Sequence, residues 1–301
     1  MMMTLQEIIA DIRSDRVKKV VIDTDAYNEI DDQFAIAYSY FSKKMDVLAY
    51  YAAPFFNGNS KSYEDGMEKS YEEIIRVLES CDPNYMVPVL KGSRISVDST
   101  GSFVESEAAD HLIKLAHESD EIIYVFGMGA ITNVTYAIMK DPTIKDKLCV
   151  IWLAASEMHA DHLDEFNLFQ DYKAGQILIN SGVPLLLCPA WSVVWKLIAN
   201  LPQIMDLKGH NPACDYLYGL GYGYYEGAGK PEGWFRCLWD IATPAILDNP
   251  DCAEISIITA PVITDDRKYA FDSTRHQIMI LDKIDRDKTY ERAWEVLKKG
   301  L

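Results

Sequence analysis

Short apolar runs alternate along the chain with longer segments in which apolar residues recur at helical spacing. The apolar runs are rich in aliphatic residues and predict strands at 19–23, 46–52, 121–127, 148–154, 183–188 and 276–282. The longer segments predict helices at 32–42, 64–80, 107–118, 132–140, 170–181 and 288–299. Strands that alternate with helices in this way are typical of βα units. The pattern therefore predicts an α/β fold with a parallel β-sheet.

No low-complexity linker or internal repeat divides the chain, so we expect residues 1–301 to form a single domain. Residues 216–235 differ in composition, because glycine and aromatic residues are dense there. This segment predicts a loop or a broken helix that could move over a site.

Four aspartates crowd the carboxyl end of the first predicted strand, in the sequence VVIDTDAYNEIDD. They are Asp23, Asp25, Asp31 and Asp32. Carboxylates this close raise one another's pKa unless a cation neutralises them, and open α/β sheets bind ligands at this edge. Oxygen-only ligands favour Ca²⁺ or Mg²⁺ over zinc. The alternative is an acidic turn or helix start, and Asp23, inside the strand, is expected to support the others.

A glycine turn follows the third predicted strand, in the sequence GMGAITN. Gly127 and Gly129 let the backbone come close to a ligand or ion, although such a turn is weak evidence by itself. Thr132 and Asn133 occupy the position of a helix cap.

Two further polar segments come later in the chain. Glu165 and Asn167 flank Phe166 and predict either hydrogen bonds to the hydroxyls of a small polyol or an ordinary helix entry. Asp240 precedes an apolar helix and is either a cap or a metal ligand.

Taken in order, these segments resemble the inosine-uridine preferring nucleoside hydrolase family, over roughly residues 18–294. The resemblance rests on the DTD…DD cluster, the GMGAITN turn, the EFN tripeptide and the late WDIAT aspartate. It implies a Ca²⁺ held by Asp25, Asp32, Asp240 and the backbone carbonyl of Met128. It also implies a nucleoside hydrolase-like α/β fold, with an open, mostly parallel (mixed) β-sheet flanked by helices, and assembly as a homodimer or homotetramer.

The same resemblance implies the reaction, which is hydrolysis of the N-glycosidic bond of a ribonucleoside to base and ribose by a metal-activated water. Asp25 is the expected proton acceptor for that water. The residues expected to bind the ribose hydroxyls are Asp31, Asn57, Glu165 and Asn167.

The chain departs from the family pattern at the nucleobase end. Trp239 stands where many members have a histidine acid, His159 replaces an asparagine, and AYNEI makes the first cluster two residues longer. We expect Trp239 to contact substrate. His159 and His162 form an HxxH pair, and each is either the leaving-group acid, a metal ligand or a hydrogen-bonding spacer. Other aromatic residues are candidates for stacking on a base: Tyr27, Trp191, Trp195, Tyr222, Tyr224 and Tyr225.

These departures leave two alternatives to a nucleoside hydrolase. One is a hydrolase of another ribosyl or glycosyl conjugate, and the other is a weakly catalytic protein that binds a ribosylated ligand. Asp25 beside a bound ion favours an enzyme, whereas the missing histidine is compatible with a protein that only binds its ligand.

Composition restricts the partners and the compartment. The net charge of −17 and the pI near 4.7 argue against nucleic acid and anionic membranes, which leaves a small nucleoside or riboside as the expected partner. The N-terminal sequence has no apolar core of signal-peptide length. The 6 cysteines form no CxxC pair and are expected to be reduced and mostly buried, so we predict a cytoplasmic protein.

Overall fold

The computed structural model describes residues 3–301. The strands of this part of the chain are β1 Lys18–Thr24, β2 Met45–Ala52, β3 Val89–Lys91, β4 Ile123–Met128, β5 Leu148–Leu153, β6 Leu185–Cys188, β7 Ile198–Asn200, β8 Phe235–Cys237, β9 Ala253–Thr259, β10 Val262–Ile263, β11 Tyr269–Ala270 and β12 Gln277–Ile284. The α-helices are α1 Leu5–Ile12, α2 Asp31–Phe41, α3 Tyr63–Cys81, α4 Val97–Thr100, α5 Glu107–Glu118, α6 Thr132–Lys140, α7 Phe166–Gln170, α8 Tyr172–Ser181, α9 Leu201–Met205, α10 Pro212–Gly227, α11 Ala242–Asp248 and α12 Arg286–Lys299. Short 3₁₀ helices occupy Pro142–Lys147, Val194–Lys196, Trp239–Ile241 and Pro250–Cys252.

The main sheet has eight strands in the order β3-β2-β1-β4-β5-β6-β12-β9. Neighbouring strands are parallel except at the β12–β9 edge, which is antiparallel. This confirms the predicted open, mostly parallel sheet. The winding reverses at β1, which lies between β2 and β4, and ligands of open α/β sheets bind at such a switch point. Two small antiparallel pairs, β7–β8 and β10–β11, lie outside this sheet.

Apolar layers cover both faces of the sheet. Along β1, Val20 and Ile22 pack into one hydrophobic cluster and Val21 packs into the other, because successive side chains of a strand point to opposite faces. A strand buried on both faces reads as a continuous apolar run, which is why the sequence predicted it.

Most predicted elements are confirmed, with ends that shift by a few residues. The prediction for 216–235 is wrong in its first half, because α10 runs unbroken to Gly227 and only the following turn and β8 are non-helical. Gly219, Gly223 and Gly227 have open space where a side chain would begin, so they recur on one open face without interrupting the helix.

Several elements of the described chain were not predicted from the sequence. They include α1 and the sheet strands β3 and β9, besides short helices and the strands of the two small antiparallel pairs. Helix α1 begins with a capping box in which Thr4 and Glu7 exchange hydrogen bonds. Among residues 3–301, no helix combines the length and apolar character needed to cross a membrane.

Candidate active site

A cavity of about 410 Å³ opens at the carboxyl end of the parallel strands. Its volume is that of a site for a small organic ligand. Its lining residues are Asp25, Asn28, Glu29, Asp31, Asn57, Met128, Leu153, Glu165, Phe166, Asn167, Ala190, Trp191, Phe235, Arg236, Cys237, Trp239 and Asp240. Segments that are distant in the sequence therefore line one cavity.

A group of three buried carboxylates lies at the base of this cavity. Asp31 and Asp32 begin α2, Asp240 lies in the 3₁₀ helix after β8, and one oxygen from each falls within 4.8 Å of the others. None of the three is a helix cap, because the N-cap positions of α2, the 3₁₀ helix and α11 are occupied by Ile30, Leu238 and Ile241. The arrangement therefore favours the ligand interpretation of Asp240 over the capping one.

Asp25 lies on the same cavity but outside the 4.8 Å group. It is 1% exposed, and its Oδ2 has no hydrogen-bond partner in the described chain. Oδ1 of Asp240 is buried and unpartnered in the same way. A buried carboxylate oxygen without a partner is costly, so each of these two atoms calls for a positive charge or a donor.

The electrostatics of the cluster agree with that requirement. Burial, followed by the charges of neighbouring carboxylates, raises the pKa of Asp25, Asp32 and Asp240 well above the usual aspartate value. Burial and then the charge of Glu29 raise the pKa of Asp31 to about 7. Asp31 and Asp240 share a hydrogen bond, which requires a proton when no cation is bound.

The donor set fits a hard divalent cation. It contains carboxylate oxygens and neither histidine nor cysteine, which suits Ca²⁺ or Mg²⁺. Met128 lines the cavity at the end of β4, opposite Thr24 of β1. A Cβ at Gly129 would lie 3.0 Å from Cγ of Asp25, so the glycine turn packs closely against this carboxylate.

Asn133 connects the strand ends beneath the cavity. Its Nδ2 donates to Oδ1 of Asp23 at 2.8 Å, and its Oδ1 accepts from the backbone N–H of Ser93 at 2.7 Å. The predicted cap role of Thr132 and Asn133 is wrong, because Ile131 is the cap residue and Thr132 donates to Asp171 instead. Both side chains are buried and serve as partners for other buried polar groups rather than for the helix start.

Glu165 is both a helix cap and part of the cavity wall. Its carboxylate accepts from the backbone N–H groups of Ala155, Asn167 and Leu168 at 2.8, 2.9 and 3.0 Å. Burial raises its pKa to about 7. Asn167 is held beside it, because its Nδ2 donates to the carbonyl of Leu153 at 2.9 Å. The two predicted roles of Glu165, helix entry and polar wall, are therefore compatible.

Asn57 reaches the cavity on a loop that hydrogen bonds hold in place. Its Nδ2 donates to Oδ1 of Asn28 at 2.5 Å. The neighbouring Phe56 donates its N–H to Oε1 of Gln170 at 2.6 Å and accepts from Nε2 of that amide at 3.3 Å. The lengthened AYNEI turn, which contributes Asn28, is therefore tied to the loop that carries Asn57.

Aromatic side chains form the outer part of the wall. The Trp191 and Trp239 rings meet edge to face with centroids 5.2 Å apart, and Trp191 is 54% exposed. The backbone N–H of Trp239 donates to Oδ2 of Asp31 at 3.1 Å. Trp239 therefore connects the acidic base of the cavity to its mouth.

The structure does not bring His159 to the cavity. Its side chain is exposed, and its ring lies 6.5 Å from that of Phe271. His162 is also exposed and outside the lining. The other predicted stacking residues that do not line the cavity are Tyr27, Trp195, Tyr222, Tyr224 and Tyr225.

Several lining residues were missed by the sequence analysis. Asn28 and Glu29 belong to the AYNEI insertion, whose extra length was the available signal. Arg236 and Cys237 lie in β8, where no motif or periodicity marks them.

Comparison with known families gives one match over most of the chain. The model described as inosine-uridine preferring nucleoside hydrolase matches residues 20–291. A curated relative, the pyrimidine-specific ribonucleoside hydrolase RihA of Enterobacter sp. (strain 638), is 29% identical over 83 residues. That alignment covers 27% of this chain and 26% of the relative, so it spans about a quarter of each.

Solved structures share the fold at low identity. The purine-preferring ribonucleoside hydrolase from Gardnerella vaginalis superposes with a TM-score of 0.73 at 19% identity, covering 94% of this chain and 100% of that one. The inosine-uridine preferring nucleoside hydrolase from Bacillus anthracis superposes with a TM-score of 0.69 at 14% identity, with coverages of 94% and 100%.

Proposed function

Because the chain belongs to the inosine-uridine preferring nucleoside hydrolase family, and is thus a hydrolase acting on N-glycosyl compounds, we propose that it cleaves ribonucleosides with the help of Ca²⁺. The observation that carries the proposal is the buried carboxylate cluster at the base of a ligand-sized cavity. The unpartnered oxygens of Asp240, within this cluster, and of Asp25, on the same cavity, are what a bound cation would satisfy.

In this proposal Asp25, Asp32, Asp240 and the Met128 carbonyl hold the ion. Asp31 is less available to the ion, because its oxygens already contact the N–H of Trp239 and the carboxyl of Asp240. When bound, a divalent cation neutralises the cluster and lowers the pKa of an adjacent water.

The sugar lies beside the ion in this proposal. Asp31, Asn57, Glu165 and Asn167 line the same cavity and offer carboxylate and amide groups to ribose hydroxyls. Glu165 and Asn167 are fixed by backbone hydrogen bonds, so little conformational freedom is lost when a hydroxyl binds.

The chain's own residues then account for the chemistry. Asp25 takes a proton from the attacking water, whose oxygen bonds to the anomeric carbon as the carbon–nitrogen bond breaks. The electron pair of that bond leaves with the base, and the sugar passes through an oxocarbenium-like state. The surrounding carboxylates favour its positive charge.

In this proposal the nucleobase lies toward the aromatic mouth of the cavity. Trp239 and Trp191 offer apolar ring surface there, which supports an aromatic leaving group. His159 receives no role in this proposal, because its exposed side chain lies outside the cavity.

The test is a panel of ribonucleosides and p-nitrophenyl riboside, assayed for free ribose in Ca²⁺ buffer. We expect stoichiometric ribose and base from the wild type and almost none from Asp25→Asn. Asp282→Asn, which removes the same charge from an exposed position on β12, should keep full activity. Absence of ribose from every substrate, with the fold intact, would leave only a binding function.

The proposal extends to compartment and assembly. The cysteines of residues 3–301 are all free, and four of them are buried, which supports a reducing cytoplasm. We also propose a homodimer or homotetramer, which light scattering on the purified protein would measure directly.

A further inference from the structure

The cavity wall contains a cation that none of the roles above uses. Among the described residues lining the cavity, Arg236 alone carries a positive charge. It belongs to β8, forms an ion pair with Glu29, and lies over the ring of Tyr224 with its guanidinium carbon 5.4 Å from the centroid. The AYNEI turn thus contributes a carboxylate that holds an arginine at the site.

One donor of this guanidinium lacks a partner. Nε of Arg236 is buried and forms no hydrogen bond within the described chain. An unmet donor on a charged group costs free energy, so the guanidinium that carries it at the cavity wall has donor capacity left for an acceptor supplied by the ligand. Glu29 balances the charge of Arg236, so that acceptor need not belong to an anionic substrate.

The depth of Arg236 indicates which part of the substrate it meets. Asp31 and Asp240 are each 4% exposed at the base, whereas the side chains of Arg236 and Glu29 are 31% and 38% exposed. With the sugar on the acidic base of the cavity, the group bonded to its anomeric carbon extends toward the mouth, where Arg236 lies.

We propose that Arg236 recognises and stabilises the leaving base, an inference that rests on the proposed function. Its N–H groups donate to an acceptor oxygen or nitrogen of the base, as a guanidinium fork does with the O6 and N7 acceptors of a 6-oxopurine. While the water oxygen bonds to the anomeric carbon, the carbon–nitrogen bond breaks and its electron pair stays on the base. Arg236 stabilises that negative charge and keeps its own protons, and the departing base takes a proton from solvent.

This role would replace the histidine acid that the cavity does not provide. Neither His159 nor Tyr224 lines it, and Trp239 cannot donate a ring proton in a transfer step. A preorganised charged donor acts by electrostatics instead, and removing one such donor typically costs about 10²–10³-fold in rate.

The experiment compares Arg236→Gln with Arg94→Gln, a matched control whose native side chain is 62% exposed and away from the cavity. We measure kcat/KM for inosine and for p-nitrophenyl riboside. The leaving group of the second substrate is stable as an anion and needs no donor from the protein. We expect Arg236→Gln to lower the inosine value by about 10²-fold or more and the nitrophenyl value far less. Arg94→Gln should change neither value, and Arg236→Lys should restore part of the inosine rate.

A structural role for Arg236 would give a different result. If it only holds Glu29 and Asp31 in place, both substrates lose rate equally and inhibition by free ribose weakens, which overturns the proposal. Unchanged inosine turnover in Arg236→Gln also overturns it. A wild type that fails to cleave even p-nitrophenyl riboside in Ca²⁺ contradicts the proposed function itself, and the role of Arg236 falls with it.

Discussion

Asp25 and Asp240 show how single atoms define the candidate site. Both residues stand in sequence motifs, so their identity could be predicted from the chain alone. The unpartnered oxygen of each could not, because it depends on which groups of distant segments come close. The same holds for Arg236, whose pairing with Glu29 spans most of the chain.

Replacing Asp240 with Asn keeps the shape of the side chain and removes its charge. Because Asp240 contributes to the carboxylate group, we expect Ca²⁺ affinity to fall by more than about 10-fold, as even outer-shell changes cost that much. Activity should fall by about 10²-fold or more. Calorimetric titration and the riboside assay check both values, with Asp282→Asn as the control. Unchanged affinity would remove Asp240 from the ligand set.

The amide and carboxylate groups on the cavity wall predict discrimination against missing hydroxyls. A site built to hydrogen-bond a hydroxyl rejects its absence by about 10⁴-fold in the best cases, since its buried polar groups stay unpaired. We therefore expect 2′-deoxyinosine to be a far poorer substrate than inosine, measured as kcat/KM. Equal values would remove Asp31, Asn57, Glu165 and Asn167 from the sugar site.

At the level of elements, local pattern sufficed where burial alone decides the structure. Strands β1, β4 and β5 are buried on both faces, so their sequences are apolar runs, and they were predicted nearly to their ends. Edge strands β3 and β9 are partly exposed and lack that signal. Asn133 was assigned to a helix cap because its partner Asp23 lies 110 residues away, a contact that only the sheet order creates.

The turn between β4 and α6 offers a test at this scale. A Cβ at Gly129 would lie 3.0 Å from Cγ of Asp25 and 3.2 Å from Cβ of Ala53. Gly129→Ala should therefore displace Asp25 by a few tenths of an ångström and lower kcat/KM by about 10-fold, since a misplacement near 1 Å can cost about 10².

Gly219→Ala is the matched control for that substitution. Gly219 lies inside α10 with nothing within 4 Å of an added Cβ. Its replacement should raise the free energy of unfolding by up to about 1 kcal/mol and leave activity unchanged. Full activity in Gly129→Ala would show that the turn does not position Asp25.

For the molecule as a whole, the buried acids link stability to pH. Burial raises the pKa values of Asp23, Asp31 and Glu165 to about 7. Between their ordinary values near 4 and about 7, the metal-free folded chain keeps protons that the unfolded chain has released. Its free energy of unfolding therefore falls as pH rises through that window.

Calcium should reverse this trend, because the ion replaces the protons of the cluster. We expect the rise in melting temperature on adding Ca²⁺ to be small near about pH 5 and larger near about pH 8. Scanning calorimetry with Ca²⁺ and with chelator measures it. A calcium effect that is equal at both pH values would contradict the linkage between the ion and the raised pKa values.

The measurement that tests the central claim most directly is a Ca²⁺ titration of metal-stripped protein, with p-nitrophenol release followed at each addition. The claim is that the carboxylates at the base of the cavity hold one ion that cleavage of the N-glycosidic bond requires. We predict no activity in the stripped protein and a rise that saturates at a single equivalent of Ca²⁺ per chain. Full activity without metal, or none at any Ca²⁺ concentration in a folded protein, would contradict the claim.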